Sequence, residues 1–570
     1  MRKFLIISII FLFFTFLFTF PSLFNLSDKI IGDGGDSYQF LGFQYIAKLQ
    51  VSQGKFPFGW TDYWRYPVGF DFSIGYDSTL FLLTGILFYL FIESPVIVYN
   101  LSILTMLFLN ALLSYPLFKK VSGRDDLGIL GSVIYGFSFY TIAKLGGHPN
   151  LILSSCFPFF IYGLINLKDR SGDKKSFFIF TLSVILVFFA SLQYLLILIS
   201  ALLLVFPILL LFYKDSVFQY LSIFWKRKKY TIFSLLTSVC IFLFFNSGRI
   251  EQSISKSLIF HEKDYMIQMS PSIMNFLLPN DYLPLVITSG IFPKVDEIGI
   301  DRAVFLGYLE IFIFLCFILS RTSQKFRIFI FLNLFVFFSL SLGCKTSYQS
   351  IYAYCYVYDL SLFKGIAEPG RFYTIIYIFL TIGILTVLKR LRGFKRRLTI
   401  PTLMLFIVLE RIPIDFYLSP TMENEIYIGS VKSLNSDAVL DLPLIDQWAG
   451  TRQKSKYDLY SVYYGKPIVN GYIQWAGNTP NTETFLEKFP CFRCGTYDSD
   501  NSTKTDRMLA RILKTNNIKT IVLHKDLAHM DNGETYCDQA LKNINFFLND
   551  KNLLIDKVYE DNNKAVFQLL

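Results

Sequence analysis

Residues 176–213 read SFFIFTLSVILVFFASLQYLLILISALLLVFPILLLFY, lie between Lys174-Lys175 and Lys214, and contain no charged side chain. A helix crosses the hydrocarbon core of a bilayer with about 20 apolar residues. The run is too long for one crossing, and Ser191-Leu192-Gln193 is the natural place to divide it into 176–192 and 193–213. Runs of the same character lie at 4–24, 95–118, 127–145, 150–167, 231–246, 303–320, 326–343, 372–388 and 399–417. About eleven spans are therefore expected, which makes the fold class a polytopic α-helical membrane protein. Composition agrees: the chain is 53% hydrophobic and 17% charged, against about 25% charged in ordinary soluble proteins. The run that follows Met1-Arg2-Lys3 is long and no small-residue cleavage site ends it, so a retained first span is expected.

Residues 79–93 are too few to cross comfortably and end at Glu93-Ser94-Pro95. Charge decides their placement. If they lie in the interface, every basic cluster falls on one side: Arg2-Lys3, Lys119-Lys120 with Arg124, Lys168 to Lys175, Lys226 to Lys229, Arg321 to Arg327, and Lys389 to Arg397. The excess of Lys and Arg on cytoplasmic loops makes that side the inside. The net charge of +11 is thus an orientation signal, and nucleic acid is not an expected partner.

Four long segments then face outward: 25–78, 247–302, 344–371 and the tail beyond 417. The chain divides into a multi-span unit, 1–417, and a soluble extracytoplasmic α/β domain, 418–570. Strands are expected at 438–442, 467–470, 520–523 and 565–567. Met508, Leu509, Ile512 and Leu513 keep helical spacing, as does the run 540–547. Cys491 and Cys494 form one C-x-x-C without a second pair, which fits a disulfide or two free thiols better than zinc.

The first outward loop opens with Gly32-Asp33-Gly34-Gly35-Asp36. Two carboxylates among glycines at a membrane surface suit a proton acceptor or a metal ligand, although such strings are most often plain turns. Arg65 beside Tyr66 suits a lipid phosphate, as would a snorkelling anchor. Gly146-Gly147-His148 stands at the outward end of a span. Arg249, Glu251, His261, Glu262 and Asp264 occupy the next outward loop, where the second His of a zinc-protease motif is replaced by Tyr265. Glu368-Pro369-Gly370-Arg371-Phe372 places an acid and a base at the mouth of a span, where ionisable residues are functional candidates.

This arrangement resembles the GT-C superfamily of membrane glycosyltransferases, which take a sugar from a polyprenyl-phosphate carrier. The points of resemblance are the acidic motif Asp33/Asp36, interfacial helices at about 40–53 and 79–93, the Gly146-Gly147-His148 turn, the 368–372 string and an exported α/β tail. It implies that Asp33 or Asp36 is the catalytic base or helps bind a metal. Substrate-binding roles are expected for Arg65, His148, Arg249, Glu262, Glu368 and Arg371, with the donor phosphate held by Arg65, Arg249 or Arg371. The cofactor stays open, a divalent cation included. The Trp-Trp-Asp motif of oligosaccharyltransferases is absent, Trp448-Ala449-Gly450 being no match, so transfer to protein asparagine is not expected.

The expected function is an inverting glycosyltransferase on the outer face of a bacterial cytoplasmic membrane, moving a sugar from a polyprenyl-phosphate donor to a glycan, lipid or protein acceptor. The alternative is a transporter or flippase for a lipid-linked glycan, or a non-catalytic assembly factor. The absence of an inverted repeat and of paired broken helices, and apolar runs nearly free of ionisable residues, count against a transporter.

Overall fold

The described residues of the apolar runs picked out by hydropathy are mostly helical in the computed structural model. It describes residues 2–254, 263–279, 300–344, 353–366, 368–412, 417–421, 425–445, 451–471, 493–494, 502–528, 538–550 and 553–570. Among the described residues, six helices are long and apolar enough to cross a membrane: Pro95–Ser122, Pro149–Asp169, Leu192–Lys226, Lys228–Asn246, Gln324–Ser341 and Pro369–Leu388. The other five runs lie on shorter or less apolar elements, among them α1 (Arg2–Phe18). Large apolar side chains such as Leu203, Leu211, Phe233 and Leu235 stay exposed on the long helices, as lipid-facing side chains must.

Two expectations need correction. The run 127–145 is not one helix: it breaks after Gly136 into Asp125–Gly136 and Phe139–Lys144, because Phe137 leaves the helical region and Ser138 caps a new start. The run 193–213 continues to Lys226 with a kink at Tyr213. The few ionisable groups in the apolar runs include Glu310 and Arg411, which form a buried ion pair.

Charged contacts collect the basic clusters at one end of the helical bundle. Lys3 and Lys119 both pair with Asp125, Arg124 and Arg396 both pair with Asp126, and Arg390 donates to Thr322. At the other end strand β1 (Lys29–Ile31) pairs antiparallel with β2 (Leu418–Pro420), joining the first loop to the chain that follows the last helix. Between them, α2 (Asp36–Ser52) starts directly after the glycine-rich string. The helix Thr79–Tyr89 has 11 residues, about half the length a crossing needs.

The C-terminal part carries a four-stranded mixed sheet in the order β3 (Val439–Leu442), β4 (Thr520–His524), β6 (Lys564–Leu569), β5 (Ile555–Glu560). The β3–β4 pair is parallel and the other two pairs are antiparallel. Leu509 and Leu513 of one helix and Ile544 and Phe547 of another bury against Leu440, Ile521 and Phe567 of the sheet. Met508, at the edge of the expected stripe, stays exposed. Residues 467–470 make only isolated bridges, through Ile468 to Trp64 and Val439, and strand β5 was not expected. This unit docks on the first loop. Its helix Thr451–Tyr464 packs along α2, while Tyr63 and Trp64 donate hydrogen bonds to Ser461, at 2.8 and 2.9 Å.

Candidate functional site

The glycine-rich string is shaped by contacts that exclude side chains. Gly32 has φ +142°, and a Cβ there would lie 2.4 Å from the Ser37 side chain. The Asp33 N–H donates to the Gly146 carbonyl at 2.6 Å, while the Gly35 N–H donates to the Asp33 carboxylate at 2.9 Å. The string is thereby held against the Gly146-Gly147-His148 turn. Asp36 opens α2, where unpaired N–H groups favour a negative charge. It is buried, whereas Asp33 is half-buried at the lip.

From Asp36 a line of alternating charges runs inward. Its carboxylate lies 3.4 Å from His148 Nδ1, and His148 Nε2 lies 3.2 Å from Asp301. Asp301 also accepts from Lys144 at 2.7 Å and from Arg371 at 3.3 Å. Arg371 pairs with Glu368 at 3.0 Å, and the Tyr265 hydroxyl donates to Glu368 at 3.3 Å. Three cations thus converge on one carboxylate, held by the broken span, the 300–302 turn and the 369–372 turn.

Burial alone would push the His148 imidazole down. Asp301, with help from Asp36, more than offsets that and lifts it to about 9, so it is charged at neutral pH. The carboxyl of Asp301 is buried too, which works against ionisation, but His148, Lys144 and Arg371 hold it well below the usual range. Arg371 keeps donors in reserve: neither its Nε nor its Nη1, which faces Glu368 as an ion pair, has a hydrogen-bond partner among the described residues.

Of the residues singled out by sequence, Asp36, His148, Glu368 and Arg371 share this network, with Asp33 beside it. Arg65 stands in the hairpin Trp60–Thr61/Phe70–Asp71, whose Trp64 and Tyr66 meet Ile468. Glu262 and His261, and the side chains of Arg249 and Glu251, lie outside the described residues, as does Cys491. Asp301 and Lys144 were missed. Asp301 carried the same signal as Glu368, an acid at the mouth of a span. Lys144 was hidden inside an apolar run.

A metal does not suit this donor set. The carboxylate of Asp36 faces a charged imidazole, which repels a cation, and among the described residues no three His, Cys, Asp or Glu side chains gather as ligands.

No protein-family model and no curated protein matches the chain. Solved structures do. The arabinofuranosyltransferase AftD from Mycobacteria, in two classes of one mutant, superposes with TM-scores of 0.54 and 0.53, at 12% and 13% identity over 100% of this chain. The chain spans 41% of the length of that enzyme. The oligosaccharyltransferase AglB from Archaeoglobus fulgidus, in complex with an inhibitory peptide and a dolichol-phosphate, gives 0.46 at 11% identity over 92% of this chain and 70% of its own. This chain therefore has the fold of the part of AftD on which it superposes.

Proposed function

We propose that the chain is an inverting glycosyltransferase that moves a sugar from a polyprenyl-phosphate donor to an acceptor hydroxyl on the outer face of a bacterial cytoplasmic membrane. The observation that carries this reading is the network Asp36–His148–Asp301–Arg371 beside Asp33, at the end of the bundle opposite the basic clusters. The positive-inside rule makes that end the outer one and the span count odd, and with about eleven apolar runs the N-terminus lies in the cytoplasm and residues 418–570 outside.

In this mechanism the donor phosphate settles beside Arg371, whose Nε supplies a ready donor, with Lys144 and His148 adding positive charge. The acceptor oxygen attacks the anomeric carbon, and the bond from that carbon to the phosphate oxygen breaks, its electron pair leaving with the phosphate. The acceptor proton passes to Asp33, the half-buried carboxylate that a substrate can reach. Asp36 keeps His148 charged and in place. The cations offset the charge on the departing phosphate, so one displacement suffices and the configuration inverts. No step is routed through a metal.

A transporter would use the buried Glu310–Arg411 pair as part of a path. Both are essentially sealed, at 1% and 0% exposure, and Arg411 donates to the Ile134 and Phe137 carbonyls. The pair therefore caps the break between Asp125–Gly136 and Phe139–Lys144. The deciding experiment is turnover of radiolabelled undecaprenyl-phosphate hexoses and pentoses by the purified full chain in nanodiscs. Release of undecaprenyl phosphate supports the proposal, and movement of intact donor across the bilayer without release refutes it.

A further inference from the structure

Behind the glycine-rich string, where α2 meets the C-terminal unit, lies a pocket of about 160 Å³. Its lining combines the aromatic Tyr38, Tyr427 and Tyr460 with the polar Lys456, Asp526, Asp561, Asn563 and Lys564. Tyr38 is the shared partition: its ring lies against Gly34, where a Cβ would stand 3.1 Å away, and the same residue lines the pocket. Its hydroxyl donates to the Pro420 carbonyl at 2.8 Å, tying the partition to strand β2. Tyr460 is fixed by stacking on the His524 ring, with centroids 4.8 Å apart and planes at 3°. The walls are therefore preorganised.

We propose that this pocket binds one sugar ring of a neutral acceptor glycan, an inference that rests on the transfer reading above. Size comes first: sites for drug-sized ligands run to about 300–1,000 Å³, so this one takes a single small ring and no lipid chain. Charge comes second. Two lysines face two aspartates, and Lys564 is already paired with Asp526, so the lining carries no surplus for a phosphate. Chemistry comes third. Aromatic faces suit the C–H surface of a pyranose, while carboxylates, an amide and an ammonium group suit its hydroxyls. Two of these groups are unspent: no ion pair or side-chain hydrogen bond engages Lys456 or the Asn563 amide among the described residues. A sugar held there would lie across Tyr38 from the Asp33 string, leaving the next residue of its glycan to reach the base.

The test is saturation-transfer NMR of the full chain in nanodiscs, with the methyl glycosides of glucose, galactose, mannose and N-acetylglucosamine as probes. At least one glycoside should bind the wild-type chain and Asp33→Asn alike. Its affinity should fall about tenfold in Lys456→Ala, the loss of one charge-assisted hydrogen bond, and about fivefold in Asn563→Ala, the loss of one hydrogen bond between neutral groups. Both positions are surface-accessible, and an unchanged elution profile and melting temperature would confirm folding. Absence of binding by all four glycosides, equal binding by the pocket variants, or displacement by inorganic phosphate would each overturn the assignment. Donor turnover is scored separately. If the wild-type chain releases undecaprenyl phosphate from none of the donors, the transfer reading fails, and pocket-dependent glycoside binding would then mark a saccharide site that is not an acceptor subsite.

Discussion

Replacing Asp301 with asparagine tests the charge network without touching the proposed base. His148 lies 3.2 Å from Asp301 and 3.4 Å from Asp36, and together these carboxylates lift it from 6.5 to about 9 against the downward pull of burial. At 1.36 kcal/mol per unit, that rise is worth about 3 kcal/mol of proton affinity. The charged imidazole contributes fully below its unfolded value of about 6.5, and the contribution is lost as pH rises through about 9. Asp301→Asn keeps the shape but removes the larger attraction, so the midpoint should drop by about one unit or more, with Asp36 still holding part of it. Diethylpyrocarbonate acylates only the neutral ring, so mass-spectrometric footprinting of the peptide around His148 reads the midpoint without any substrate. In parallel, the alkaline limb of donor turnover should move to lower pH in Asp301→Asn. A wild-type midpoint near 6.5, or equal midpoints in the two proteins, would refute the network.

Asp33→Asn or Asp36→Asn should lower donor turnover by about 10²–10⁴-fold with normal membrane insertion, whereas Asp71→Asn, an N-cap in the same loop, should be far milder. Near-full activity in both would show the string to be only a turn. Arg411→Met leaves Glu310 buried without its cation and should cost about 3–5 kcal/mol, read as a lower melting temperature in detergent. Adding Glu310→Gln should recover part of that loss, and a single variant as stable as wild type would deny the capping role. In a background without the native cysteines, a cysteine at Asn435 should react with an impermeant thiol reagent in spheroplasts while one at Lys228 should not. Reversed labelling would place the site on the cytoplasmic side.

Legibility followed the range of the forces involved. The helices were readable because lipid demands long apolar runs, and the Asp33–Asp36 string, His148 and the 368–372 turn were readable because charge at the mouth of a span is rare. The break at Phe137 was not, since no Pro or charge marks it. It is held by Arg411, 274 residues away in the chain, which donates to the Phe137 carbonyl at 3.0 Å. The expected strand at 467–470 failed because Ile468 is divided between two partners, Trp64 and Val439, instead of joining one ladder.

By itself the sequence determined that this is a membrane protein with its charged candidates at one end, because hydropathy and the distribution of basic residues act locally along the chain. Only the tertiary structure decided which of those candidates meet. Lys144 and Asp301 are separated by 157 residues, yet stand 2.7 Å apart, and neither position alone announces the other. Ion pairing between distant segments depends on how helices pack and where one of them breaks, and side chains from far along the chain set both.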